Sequence, residues 1–285
     1  MRCLSIATAI VAFTVALAQT AAAAPPQVQN WTGSYAGLNA GGNWGDDPVS
    51  TTASNSKFCP ICSHALETAT ASLQGATGVF PVKTDGFIGG GQLGYNLQIA
   101  DRWVAGFEAD FQGLANAEGS ATNSAVYNVS GFAAHSVSTD MSVTKRIDTL
   151  GTVRGRLGYQ VMPNVLVFGT GGFAYGHAKS SLAISQNFNG SGLGAVETSF
   201  GTNLSASETL GGWALGGGFE WMFSPKWSAK VGYLHYDLGK MTTHGQIADR
   251  FVAPSPPTPN YWVNNVQSTT HFNGDIASVG VNYHF

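Results

Sequence analysis

Charge is scarce in this chain. Its 285 residues include only 13 Lys and Arg and 16 Asp and Glu, so charged residues make up 10%. A typical soluble domain carries about 25%. So little charge leaves a free barrel or sandwich of this size poorly solvated. The basic residues form no stripe and the net charge is −3, which excludes a nucleic-acid-binding surface. Long apolar runs are also missing beyond the N-terminus. No such stretch reaches the roughly 20 residues of a membrane-spanning helix. Nor does any segment there carry a sustained helical period. Cysteine is limited to Cys3, Cys59 and Cys62.

The N-terminus has the form of an export signal. Arg2 is followed by the apolar run Leu4–Leu17 and by small residues up to Ala24, the pattern of a secretory signal peptide. Residues 1–24 are read as that peptide, with cleavage between about 18 and 24, and residues 25–30 as a short linker. Cys3 falls in the removed part. In an exported chain, Cys59-Pro60-Ile61-Cys62 reads as a local disulfide. A redox site would need a strand before the motif and a helix after it, whereas Ser/Thr/Asn-rich sequence lies on both sides.

What is abundant is strict alternation, joined to 37 glycines and 11% aromatics. Trp103, Ala105, Phe107, Ala109 and Phe111 share one strand face, opposite Glu108, Asp110 and Gln112. Val153, Leu157 and Tyr159 oppose Arg154, Arg156 and Gln160, and Trp213, Leu215, Phe219, Trp221 and Phe223 oppose Glu220. Short turns at Ala100-Asp101-Arg102, Pro163-Asn164 and Ser224-Pro225-Lys226 recur at intervals of about 62 residues. Between them lie long Ser/Thr/Asn/Gly-rich connections at about 46–84, 115–145, 180–207 and 240–271. With a first strand at Trp31–Gly45, a fifth at Val165–Ala178 and a terminal one, the count is eight. Short turns at one end and long loops at the other predict an all-β, eight-stranded antiparallel up-and-down barrel over residues 31–285, with four long extracellular loops.

Alternation alone leaves open which face points inward. Four features together favour a transmembrane barrel over a soluble one. Charge is too low for a wet exterior, and an export signal is present without another anchor. Aromatics cluster near strand ends, where Trp103, Tyr159, Trp221, Trp227 and Phe285 would form a girdle at the short-turn end. The charged strand residues balance if they meet in the lumen: Glu108, Asp110 and Glu220 against Arg154, Arg156 and Lys230. On the lipid face a charge would cost about 2–4 kcal/mol at mid-membrane. An eight-stranded lumen is just wide enough for side chains to fill it, so little diffusion through a monomer is expected. The match of Gly89, Gly91 and Gly94 to G-x-G-x-x-G continues into a strand pattern, so it reads as barrel glycine and not as a nucleotide loop. No nucleophile, base and acid converge at one rim, and no cofactor or metal set is evident. His64, beside the cysteines, is the nearest approach to a loop metal site. His135, His244 and His271 read as loop residues.

The segment "WTGSYAGLNAGGNWG" (Trp31 to Gly45) resembles the first strand of the small porin-family outer-membrane proteins of alphaproteobacteria, relatives of opacity-type and OmpA-like eight-stranded barrels. "VGYLHYDLG" (Val231 to Gly239) resembles their seventh strand, although Gly232 stands where an acidic residue is expected. "SVGVNYHF" (Ser278 to Phe285) is similar to their closing strand. The resemblance implies an integral outer-membrane protein in contact with lipid and lipopolysaccharide, contributing to envelope structure and presenting surface loops. It also implies that Tyr283 and Phe285 act as a signal read by the β-barrel assembly machinery. Alternatives within the same resemblance are a porin-type passive pore for small solutes and loop-mediated binding of haem or a host ligand.

Overall fold

A computed structural model describes residues 30–58, 65–190, 199–249 and 262–285. Residues 1–24, read above as an export signal, nearly all of the segment read as a linker, Cys59, Cys62 and His64 lie outside the described residues.

Among the described residues, eleven strands and one helix follow in the order β1 (Gly33–Trp44), β2 (Val49–Phe58), α1 (Ala65–Gly75), β3 (Gly78–Phe80), β4 (Gly86–Gln98), β5 (Trp103–Ala115), β6 (Glu118–Asn128), β7 (Ser136–Met162), β8 (Val165–Asn189), β9 (Ser199–Ser224), β10 (Trp227–Asp249) and β11 (Trp262–His284). Eight of them, β1-β4-β5-β7-β8-β9-β10-β11, form an antiparallel ring. It closes where β11 pairs with β1 from Tyr35 opposite His284 to Trp44 opposite Asp275. Closure leaves no ladder edge in this lower section, as a hydrocarbon surrounding demands.

The lower section is apolar outside and polar inside. Leu93, Phe107, Val153, Leu157, Leu215, Phe219, Val279 and Val281 are exposed on its outer face, while Gln92, Asn96, Glu108, Arg154, Arg156, Glu220 and Asn282 are buried within. Trp103, Tyr159, Trp221, Trp227 and Phe285 ring the short-turn end, with Trp103 and Tyr159 edge to face at 5.2 Å. Trp44, Phe87, Phe111, Phe173 and Trp213 mark the upper limit of the apolar belt. From Trp103 to Phe111, β5 crosses it in nine residues, the length needed by a tilted membrane strand.

Above that belt the alternation changes sign. Along β8 the outward residues run Phe173, Tyr175, His177, Lys179 and Ser181, passing from apolar to polar. The inward residues change oppositely, from Thr170 to Leu182, Ile184 and Phe188. The long connections at 115–145, 180–207 and 240–271, expected as loops, therefore carry β6 and the upper parts of β7 to β11. The connection at 46–84 carries β2, α1 and β3. Most keep a period of two, and the upper part of β7 does so with a largely apolar inner face at Val137, Met141, Val143 and Ile147.

The ring does not continue upward unchanged. Above Gly113 and Thr149 the place of β5 beside β7 passes to β6, and above Trp44 the place of β1 beside β11 passes to β2. The β9–β10 ladder ends at Trp213 and Asp237. The upper section thus comprises two four-stranded sheets, β6-β7-β8-β9 and β10-β11-β2-β3. Val49, Met141, Leu182, Ile184, Phe200, Trp262 and Val266 form a core with residues of α1. Register shifts mark the boundary, between Ile147 and Thr149 in β7 and between Asp237 and Lys240 in β10. In the second, Gly239 takes a φ of 82° and its N–H donates to Asp237 Oδ1 at 2.8 Å, a left-handed position that favours glycine.

The helix was not anticipated. Its buried side is Ala65, Thr68, Ala69, Ala71, Ser72 and Gly75, residues too small to register as an apolar stripe. It is pinned by hydrogen bonds more than by volume. Ser72 Oγ donates to Gln186 Oε1 at 2.6 Å, Gln186 Nε2 donates to the Ser72 carbonyl at 2.8 Å, and Asn264 Nδ2 donates to the Ala69 carbonyl at 2.8 Å.

Candidate functional site

The lumen of the lower section holds the densest chemistry. Glu108 and Asp110 project inward from β5, Arg154 and Arg156 from β7, Glu220 from β9 and Lys230 from β10. Ladder register sets them together: Glu108 faces Arg154, and Glu220 faces Lys230. Lys230 Nζ donates to both Glu108 oxygens, at 2.7 and 2.6 Å. Arg154 Nη2 spans Glu108 Oε1 at 2.8 Å and Asp110 Oδ2 at 2.5 Å. Arg156 pairs with Glu220 and lies 3.9 Å from Glu108. Three acids thus meet three bases in one connected layer. A buried charge without such a partner would cost several kcal/mol.

Neutral groups that the charge pattern did not single out complete this layer. The Tyr35 hydroxyl donates to Glu108 Oε2 at 2.7 Å and Thr152 Oγ1 to Asp110 Oδ2 at 2.7 Å. Ser228 Oγ and Asn282 Nδ2 donate to Glu220 Oε1, at 2.5 and 2.7 Å. Arg156 stacks over the Phe168 ring at 4.0 Å. Tyr35 reaches the centre because Gly94 lies beneath its ring; a Cβ there would sit 2.3 Å from Tyr35 Cζ. That requirement accounts for one glycine of the G-x-G-x-x-G match. Gly232, where an acid was expected, lines a cavity of about 30 Å³ with Gln92, Arg154, Thr170 and Lys230, room for about one water molecule.

Apolar layers close the lumen on both sides of the charges. Below, Trp31, Val104, Leu166 and Met222 pack together. Trp31, expected as the first strand residue, lies ahead of β1 and is buried at 1% exposure in the lower mouth. Above the charges, Ile88, Leu150, Ala174, Leu234, Tyr236, Phe272 and Ile276 form the second layer. The charged residues hold one another between these two apolar layers, an arrangement suited to rigidity.

At the short-turn end, Tyr283 and Phe285 stack edge to face at 5.1 Å, and the Phe285 N–H donates to the Ser34 carbonyl at 3.1 Å. The terminus is thus paired to the first strand. Two histidine–carboxylate clusters lie on the outer surface near the belt's upper edge. His235 contacts Asp275 at 2.8 Å, and His271 contacts Asp237 at 2.9 Å and Asp47 at 3.2 Å. His244 and His271, read as loop residues, stand in β10 and β11. His135 precedes β7 and stacks on Phe132.

The model for the outer membrane protein beta-barrel domain matches residues 9–285. The chain is 35% identical over 219 residues to the 31 kDa outer-membrane immunogenic protein of Brucella melitensis biotype 1, covering 76% of this chain and 75% of that one. The protein of the same name from Brucella suis biovar 1 matches over the same shares at the same identity. Among solved structures, the outer membrane protein OprG from Pseudomonas aeruginosa aligns over 90% of this chain and 99% of its own, with a TM-score of 0.39 and 11% identity. With its closed ring, its apolar belt and its match to that family model, the chain belongs to the outer membrane protein beta-barrel domain family and resides in the outer membrane.

Proposed function

We propose that this protein is a sealed, non-enzymatic envelope barrel whose work is mechanical anchorage and presentation of its upper section at the cell surface. The observation that carries this reading is the stacking of three side-chain layers in the lumen: apolar, charged and apolar. A passive pore needs a continuous wet path, and water-filled channels belong to barrels of about 16 strands. In this reading the short turns face the periplasm. The outer face meets lipid and lipopolysaccharide, and the terminal strand with Tyr283 and Phe285 is what the assembly machinery engages. The immunogenic character named for the Brucella relatives fits a section exposed outside the cell.

Planar-bilayer recording of the purified monomer tests the seal. The expected result is no stable channel; openings on the nanosiemens scale from the folded species would overturn it and restore the porin reading.

A further inference from the structure

The outer face of β7, β8 and β9 changes chemistry in three steps with height. Phe173 and Tyr175 of β8 belong to the apolar belt. Two outward positions higher, about 13 Å along the strand, Lys179 stands directly opposite Arg146 of β7. Like charges facing each other across a ladder are destabilising. Here Asp148 reaches both, at 2.5 Å from Arg146 and 2.8 Å from Lys179, and Glu118 lies 3.4 Å from Arg146. The two cations nevertheless remain about half exposed, at 50% and 48% of their side chains. Lys179 has further ammonium protons to donate and Arg146 a second Nη. Higher still, a shallow depression of about 800 Å³ opens on the same face, lined by Ser124, Asp140, Ser142, Ser185 and Asn203 together with the apolar Met141, Ile184 and Phe200. Among the described residues Asp140 is its single charged group.

Acyl chain, phosphate and neutral hydroxyls, in that order along one normal, are the chemistry of a phosphorylated glycolipid. We propose that the β7–β9 flank binds one lipopolysaccharide molecule of the surrounding outer leaflet. Arg146 and Lys179 take its phosphate and the depression above takes its inner sugars. Charge favours this flank. On β10 and β11 the outward carboxylates Asp237 and Asp275 stand lower, beside Trp213 and Leu215 at the belt's upper edge, where they would repel an anion, and a single cation, Lys240, follows Asp237 on β10. The depression supplies the donors and acceptors that sugar hydroxyls need. The proposal rests on the outward orientation argued above. Binding in detergent does not depend on orientation, so failure of one is distinguishable from failure of the other.

The test uses the protein folded in detergent, with three probes: purified lipopolysaccharide, its lipid A part without saccharide, and phosphatidylglycerol. Bound lipid is counted by native mass spectrometry. Lipopolysaccharide is expected to bind tightest and phosphatidylglycerol weakest. Arg146→Gln with Lys179→Gln should weaken lipopolysaccharide binding by about tenfold or more, as the loss of charge-assisted hydrogen bonds implies. Ser185→Glu with Asn203→Glu should weaken lipopolysaccharide but leave lipid A unchanged. Asp148→Asn, which releases Lys179 and leaves Arg146 only its Glu118 contact, should tighten binding severalfold, an effect that a merely structural role would not produce. Should the double Gln variant fail to fold, the Asp148→Asn result decides. Equal binding of phosphatidylglycerol, unchanged binding in the folded double Gln variant, or no gain in Asp148→Asn would overturn the proposal.

Discussion

Two buried residues behave oppositely when their partners are considered. Arg156 is embedded in its layer by Glu220, Glu108, Tyr35 and Phe168. Replacing it with Met strands Glu220 and should destabilise the lower section by about 3–5 kcal/mol. Adding Glu220→Gln should restore much of that loss, since the orphaned charge is then gone. The temperature at which the folded band shifts on an SDS gel measures both; equal melting of the single and double variants would deny the coupling. Lys145 of β7 is the contrary case. It stands above the belt, buried and inward, with no hydrogen-bond partner for Nζ and with Phe272 5.2 Å away. Burial lowers its pKa to about 8, against the pull of Asp47 and Asp46. Below pH 8 it is charged folded and unfolded alike, so the cost of burying that charge is borne in full. Between about pH 8 and 10.5 the folded form is neutral while the unfolded form is still charged, so stability should rise across that window. The difference between 10.5 and about 8 corresponds to roughly 3 kcal/mol. Lys145→Met should therefore stabilise the upper section at pH 7 and flatten its pH dependence; a Met variant that melts earlier at pH 7 would contradict this.

Strands here obey different rules above and below one level. On β7, Val153→Arg places a cation on the lipid face and should cost about 2–4 kcal/mol near the midplane. Ser142→Arg, outward on the same strand but above the belt, should change stability by no more than about 0.5 kcal/mol. Comparable folded yields of the two variants in membranes would undo the assignment of the boundary. The lower halves of the strands were legible because aromatics and charges alternate there in high contrast. The upper halves alternate as regularly, but Val, Met and Ile alternate with Ser and Thr, and abundant Ser and Thr resemble loop composition. Helix α1 was illegible for a related reason: its buried side is Ala, Ser, Thr and Gly, which carry little hydrophobic signal. Its anchors, Gln186 and Asn264, lie more than 100 residues away in sequence. Changing either to Ala should cost about 1–2 kcal/mol and raise amide exchange across Ala65–Gly75. Charge balance could suggest that Glu108, Asp110, Arg154, Arg156, Glu220 and Lys230 meet. Tyr35, Thr152, Ser228 and Asn282 gave no such cue, because neutral polar residues face inward on many strands.

At the scale of the described residues, a membrane ring carries a two-sheet body, with layers of buried side chains from the lower mouth into the upper core. Protease applied to intact cells should leave 177–189 and 199–212 uncut, since both are paired strands with an inner face in the core. Cleavage at Pro163–Asn164 in sealed cells would reverse the orientation of the protein. At the closing strand, Phe285→Ser removes the terminal aromatic and should lower the amount assembled in the membrane; normal yield would refute its role as a signal. The inversion of the strand pattern also bears on immune recognition. An antibody meeting the folded body sees Ser181, Ser185 and Asn203 side by side, drawn from different strands, while Leu182, Ile184 and Leu204 are hidden between them. A linear peptide copied from 177–189 would display both sets at once. Antisera raised on such peptides should bind denatured protein and ignore living cells, whereas an immunogen that keeps the sheets paired should elicit antibodies that reach them.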